Sequence, residues 1–282
     1  MHAPSQAKPV VHSTPPLQAV IFDVDGTLAE TELAGHRVAF NRAFAEFGLD
    51  WLWTPELYGE LLAVTGGKER VALYVKRYAP TLPKPIDFDA WVARVHQRKS
   101  EIYSELVLTG AIPLRPGVAR LIHELRENGI RLAIATTTTP SSLNSLIVAN
   151  FGCEMSSLFE VIGAGDQVAN KKPAPNIYQW VLQQLGLPAA ACLAIEDSFP
   201  GLSSARAAGV PALITINDYT VNDDFSEALS VVSDLGEPDK QAHHLDGWPL
   251  NGHCVDLAQL RDWHQLYGSE ALQQARLTET LF

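Results

Sequence analysis

The sequence predicts an α/β fold: a parallel sheet with helices on both faces, and an all-helical domain inserted near its start. Three observations carry this. Short apolar runs of strand length recur along the chain, segments of helical period lie between them, and the alternation lapses between Thr31 and Thr109. The 282 residues suit two domains better than one or three.

The first strand is Leu17–Val24, mostly apolar and ending in acidic residues, as a strand buried on both faces would be. Four more runs resemble it, Arg131–Thr136, Phe159–Ile162, Cys192–Ile195 and Val210–Ile214, with a weaker sixth at Leu229–Val232. In Val118–Asn128 the apolar residues Val118, Leu121, Ile122 and Leu125 fall at i, i+3, i+4 and i+7, and Gly129 closes the helix. Ile177–Leu185 and Leu202–Ala208 likewise end in Gly186 and Gly209. The inserted stretch reads as helix over Val38–Phe47, Pro55–Val64, Lys68–Tyr78 and Phe88–Leu106, divided by the three-proline loop Ala79–Pro85. The expected domains are therefore a core over 17–31 and 110–236 and a helical cap over 32–109, with hinges near Thr31–Gly35 and Thr109–Leu114. Residues 1–16 are expected to be a mobile leader. Residues 237–282 are expected to form a helical tail packed on the core, with Trp263 and Leu266 as anchors.

Composition removes several function classes. Apolar residues make up 46% and charged residues 19%, enough to bury a large core. The formal net charge of −11 argues against nucleic acid and anionic membrane surfaces, which reward clustered positive charge. No run reaches the roughly 18 apolar residues of a membrane helix. The cysteines Cys153, Cys192 and Cys254 are odd in number and widely spaced, so neither a disulfide framework nor a structural zinc site is expected, and a reducing cytoplasm fits best. The histidines His243, His244 and His253 beside Cys254 read as surface residues. A monomer is expected.

In an open parallel sheet, ligands bind beyond the carboxyl ends of the strands. Four polar clusters follow the apolar runs: Asp23-Val-Asp25-Gly-Thr27, Thr136-Thr-Thr-Thr139, Asn170-Lys-Lys172-Pro173 and Glu196-Asp197-Ser198. Asp23 and Asp25 are two apart, so in extended chain they share a side. With Glu196 and Asp197 they make four carboxylates at one edge, tolerable only with a cation, and a hard all-oxygen site suits Mg2+. Lys172 and the Thr136 hydroxyl can then serve an anion beside the metal. That set suits phosphoryl transfer, with Asp23 as nucleophile and Asp25 as proton carrier. A calcium loop is excluded, because Thr27 occupies the third ligand position and Ala34 stands where the twelfth-position Glu belongs. Gly163-Ala-Gly165 is no dinucleotide fingerprint, since residue 168 is Val.

Phe22-Asp-Val-Asp-Gly-Thr-Leu28, Thr136, Lys172-Pro-Ala-Pro175 and Ile195-Glu-Asp-Ser198 with Gly201 resemble, in order, the motifs of the haloacid-dehalogenase-like hydrolase superfamily. The resemblance implies a Rossmann-like core with a helical cap after the first strand, and an aspartyl-phosphate intermediate on Asp23. It implies Mg2+ held by Asp23, the Asp25 backbone carbonyl and Asp197, with Glu196 acting at the metal. Thr136 and Lys172 would bind the transferring phosphoryl group, and Thr137 is a further substrate-binding candidate. Asp25 makes dehalogenation unlike this chain, since dehalogenases of the superfamily generally lack that second Asp.

Ala29-Glu-Thr-Glu32, Gly35-His-Arg-Val-Ala-Phe-Asn41, Thr65-Gly-Gly-Lys-Glu-Arg70 and Ile214-Thr-Ile-Asn-Asp-Tyr219 look closer still to the CbbY subgroup, which is similar to β-phosphoglucomutase. That resemblance implies hydrolysis of xylulose 1,5-bisphosphate to xylulose 5-phosphate. Glu32 and His36 would contact the sugar, and Lys68 and Arg70 the non-reacting phosphate; Glu30 competes with Glu32 for the sugar role. Independently, Gly66-Gly67 ahead of Lys68 at a helix start offers free amides and cations to an anion. A sugar phosphomutase is the alternative on the same scaffold. An inactive sugar-phosphate-binding protein is the alternative from another class.

Overall fold

The computed structural model describes residues 15–64, 66–82 and 87–279, with the side chains of 272–279 left out of account. Most of the expected leader and part of the proline loop thus lie outside the described residues.

β1 (Ala19–Phe22) is fully buried, and the chain then enters the helical insertion. A five-residue π-helical turn, Glu32–His36, leads directly into α1 (Arg37–Glu46). α2 (Pro55–Leu61), α3 (Gly67–Tyr78) and α4 (Phe88–Leu108) follow. α2 is capped by Thr54 with Pro55 at its first turn, and α4 by Asp87, whose side chain accepts from Ala90 N. These helices bury an aromatic cluster of their own, with Phe40, Phe44, Trp51, Trp53, Tyr58, Tyr74 and Trp91. The second half of α4, from Ile102 to Val107, instead packs into the core beneath, which ties the two bodies together.

The chain re-enters beside its exit. Ala29 and Leu114 form an antiparallel bridge, and Arg115 N donates to Leu28 O at 2.9 Å. Then come α5 (Val118–Glu127), β2 (Arg131–Ala135), α6 (Pro140–Phe151), β3 (Val161–Gly163), α7 (Asn176–Leu185), β4 (Cys192–Glu196), α8 (Phe199–Ala207), β5 (Ala212–Thr215), β6 (Ser230–Val232) and β7 (His244–Gly247). The amphipathic period read for α5 matches its buried face, Val118, Leu121, Ile122 and Leu125. The sheet order is β3-β2-β1-β4-β5-β6-β7, with β1 to β6 parallel. Side chains alternate between its faces. Val20, Phe22, Ile134 and Ile195 pack under α5, α6 and α4, while Ile21, Ala133 and Ala194 pack under α7 and α8.

β7 was not expected: it is an exposed strand, antiparallel to β6, in the turn-rich segment. The period-2 signal there is absent because neither face is buried. α9 (Leu257–Glu279) follows and buries Leu257, Leu260 and Trp263 in the core. Leu266 corrects an expectation: it is 51% exposed and anchors nothing, because it stands off the buried stripe of α9, which runs through Leu260, Trp263, His264 and Gly268. Arg120 of α5 fastens the tail by donating to the carbonyls of Leu235, Gly236 and Val255. His243, His244 and His253 are exposed, as expected.

Candidate active site

The register of the sheet gathers the polar clusters. Phe22 lies beside Ile134 of β2 and Ile195 of β4, so Asp23, Glu196 and Asp197, with Thr136 two residues beyond Ile134, come from adjacent strands at one edge. This is the place where successive connections diverge from β1 to opposite sides of the sheet, the usual ligand crevice of such folds.

Asp23, Glu196 and Asp197 are buried, and each offers a carboxylate oxygen within 4.8 Å of the others. Lys172 reaches them from the loop before α7 and donates to Asp23 Oδ1 and Glu196 Oε1, both at 2.6 Å. Three carboxylates thus face one ammonium. Burial pushes the Asp23 carboxyl up to about 8, against Lys172 and with Glu196 and Asp25 adding to the rise. Burial, then Asp23 and Glu196, hold Asp197 well above the usual carboxylate range. Burial works against the Lys172 ammonium, but the two carboxylates outweigh it and its pKa is raised. The surplus negative charge and the all-oxygen donors fit a hard divalent cation. The Asp25 carboxylate stands outside this group.

Glu196 is held more tightly than its sequence suggested. Its Oε1 also accepts from Tyr178 Oη at 2.5 Å, while Oε2 is buried without a partner. Gly201 on α8 makes room for it: a Cβ there would overlap Glu196 Oε2. Asp197 accepts from Asn217 Nδ2 at 2.7 Å. Thr136 is buried, and its Oγ1 accepts from Thr138 N at 3.2 Å, which leaves its hydroxyl proton to donate.

Asp25 turns away from that group, into a nest of donors. Its Oδ1 accepts from Thr31 Oγ1 at 2.6 Å and from His36 Nε2 at 2.9 Å, and its Oδ2 accepts from Thr138. Burial raises its pKa, but His36 and these hydrogen bonds win and hold the carboxyl well below the usual range. His36 stacks on Tyr103 at 4.1 Å, and its Nδ1 lies 2.7 Å from the buried Lys99 Nζ. An ammonium can only donate, so Nδ1 is the acceptor and Nε2 carries the proton given to Asp25.

Glu30 and Glu32 part company. Glu30 pairs with Arg115 at 3.0 Å, outside the cleft. Glu32 points into it, accepts from the Tyr58 hydroxyl and lies 3.8 Å from Arg70 Nη1. Arg70 is buried, donates to Tyr58 Oη at 2.7 Å and keeps a buried Nε without a partner. Lys68 sits at the rim, with its side chain 49% exposed and 3.7 Å from Asp166. Thr137 lines the cleft between these groups.

The cleft has two connected parts. One, of about 430 Å³, holds Asp23, Lys172, Asp197, Asn217 and Tyr219. The other, of about 220 Å³, holds Lys68, Arg70, His96, Lys99 and Lys171. Asp25, Glu32, Gly66, Arg70 and Thr137 line both. Sequence reading missed Tyr58, His96, Lys99, Arg115, Thr138 and Tyr178. Thr138 lay within a quoted motif, whereas the others carry no local signal.

The sequence profile of the haloacid dehalogenase-like hydrolases matches residues 17–209, and the chain belongs to that family. Its relatives within the family include CbbY proteins. Protein CbbY (plasmid) of Cupriavidus necator is 48% identical over 249 residues, 88% of this chain and 97% of that one. Protein CbbY of Rhodobacter capsulatus is 51% identical over 226 residues, 80% of this chain and 97% of that one. Among solved structures, a mutant of CbbY from Rhodobacter sphaeroides in complex with xylulose-(1,5)bisphosphate superposes with a TM-score of 0.73. It is 43% identical and the match covers 77% of this chain and 94% of that one. Among the described residues, no helix is long and apolar enough to cross a membrane.

Proposed function

We propose that this protein is a Mg2+-dependent phosphatase that removes the 1-phosphate of xylulose 1,5-bisphosphate and releases xylulose 5-phosphate. The observation that carries the reading is the two-ended cleft: carboxylates and Lys172 at the sheet edge, cations under the cap, and Glu32 and Arg70 between them. The Rhodobacter sphaeroides relative, solved with that bisphosphate, supplies the substrate.

Asp23 attacks phosphorus; its bond to phosphorus forms as the bond to the sugar oxygen breaks, and that oxygen takes a proton from Asp25. Water then attacks the same phosphorus, Asp25 takes the water's proton, and Asp23 is released. The donors around Asp25 hold the carboxylate form that the second step requires, and the proton it takes from water there is the one it gives to the sugar oxygen in the next turnover. Lys172 and the Thr136 hydroxyl offset charge on the transferring group. Mg2+ would be held by Asp23, Asp197 and the Asp25 carbonyl, with Glu196 behind Lys172, and would supply further charge neutralisation. Arg70 and Lys68 would serve the second phosphate and Glu32 and His36 the sugar.

A panel of pentulose and hexose mono- and bisphosphates with Mg2+ tests this. The expected result is inorganic phosphate released fastest from xylulose 1,5-bisphosphate and none after Asp23→Asn. Transfer of phosphate between sugar positions without net release would favour the mutase reading, and inertness across the panel a binding protein.

A further inference from the structure

We propose that His96 is a binding residue for the non-reacting phosphate and that its imidazole takes up a proton as that phosphate enters. The inference rests on the bisphosphate reading above and adds a residue and a proton to it.

Six side chains able to carry positive charge line the smaller part of the cleft: His36, Lys68, Arg70, His96, Lys99 and Lys171. Five already have partners, His36 through Asp25. Lys68 and Lys171 meet Asp166, Lys171 also meets Glu69 at 3.1 Å, Arg70 meets Tyr58, and Lys99 meets His36. The His96 ring makes no hydrogen bond among the described residues. It lies over the start of α3 so closely that a Cβ on Gly67 would be 2.5 Å from Nε2. The first amide groups of α3 have no side-chain cap, since Gly66 stands at the capping position. An anion in this space would meet the start of α3, an imidazole without a hydrogen bond among the described residues and, on the same lining, Arg70, whose buried Nε has no partner.

The charges around His96 explain the proton. Lys99 of its own helix, Lys68 of α3, His36 of the π-helical turn and Lys171 of the core loop lie around it, and Phe40 of α1 packs beside the ring at 6.4 Å between centroids. Glu69 and Asp166 line the same space but are spent on the lysines. Burial first, then the charges of Lys99 and Lys68, hold the imidazole down at about 3, so it is neutral in the free protein near pH 7. A phosphate dianion in the cavity reverses the sign of the local field and favours the imidazolium, which donates to a phosphate oxygen.

The test measures protons released or taken up on binding, by calorimetry in buffers of different ionisation enthalpy near pH 7.5. It uses Asp23→Asn protein with Mg2+ and xylulose 1,5-bisphosphate, with and without His96→Gln. The expected result is net proton uptake that falls markedly once His96→Gln is added. In the Asp23-intact enzyme, His96→Gln should lower kcat/KM for the bisphosphate about tenfold more than for a one-phosphate ester. A second measurement leaves residue 96 untouched: the uptake should be larger for the bisphosphate than for xylulose 1-phosphate. Equal uptake in both proteins, or for both ligands, overturns the proposal while hydrolysis of the bisphosphate continues. If the unaltered enzyme shows no preference for the bisphosphate over a monoester, the substrate reading itself has failed.

Discussion

Arg115 Nε lies 3.0 Å from Glu30 Oε1, and this pair settles which of two neighbouring glutamates faces the substrate cleft. The Arg115 guanidinium is buried and also donates to the carbonyls of Gly26, Thr215, Ile216 and Ser233. It thereby ties the segment after β1 to the ends of β5 and β6, and Glu30 completes that clasp. Glu32, left free, turns inward to Tyr58 and Arg70. Glu32→Gln should therefore lower kcat/KM for the bisphosphate by about 10–100-fold, the usual range for losing a charged hydrogen-bond acceptor. Glu30→Gln should lower it only a few-fold, about the scale of a half-exposed ion pair. Steady-state kinetics of the two variants decides the matter, and reversed effects would exchange the two roles.

Metal and pH should act on stability together. In the metal-free fold Asp23 keeps its proton up to about 8, and Asp197 is raised as well. The unfolded chain loses those protons in the ordinary carboxylate range. The folded state therefore binds more protons across that window, and metal-free stability falls as pH rises toward 8. A cation displaces the protons and removes the penalty, so the Mg2+-induced rise in Tm should be larger at pH 8 than at pH 6. At about 100 times Kd the rise is about 5 °C for a chain of this size. Asp197→Asn should shrink the rise at both pH values, as thermal melts with EDTA or Mg2+ would record.

Gly201→Ala should damage both stability and turnover. The added methyl collides with Glu196, which has no room to yield between Lys172 and Tyr178. Overpacking of this kind costs about 1–3 kcal/mol, and denaturant unfolding measures it. A midpoint equal to that of the parent protein would show that Glu196 is freer than its contacts indicate.

Arg70→Ala should raise KM for the bisphosphate about 10–100-fold, by removing a charged donor near the second phosphate. A small generic phosphate ester, which does not reach the cap, should feel much less. Equal changes in KM for both substrates would take Arg70 out of substrate binding and leave it as a support for Tyr58.

Much of the architecture could be read along the chain because its causes are local. The buried parallel strands are apolar runs, the covering helices repeat every three to four residues, and acidic or hydroxyl residues follow the strands that end at the cleft. Asp23, Thr136, Lys172 and Asp197 were legible for the same reason. What spacing alone left open were partners distant in sequence: Lys172 meets Asp23 across 149 positions, and Tyr58 meets Glu32 across 26. Tyr178 and His96 look like ordinary helix residues until folding sets them against Glu196 and Gly67. The choice between Glu30 and Glu32 turned on Arg115, which arrives from beyond the cap. Leu266 failed as an anchor because the face of α9 that packs runs through Leu260, His264 and Gly268, and the neighbours beneath decide that face. By itself the sequence determined the order of the elements and the chemistry at the strand ends, since burial and charge are properties of short segments. The tertiary structure decided which side chains complete the site, because crossover connections bring together residues that no local pattern relates.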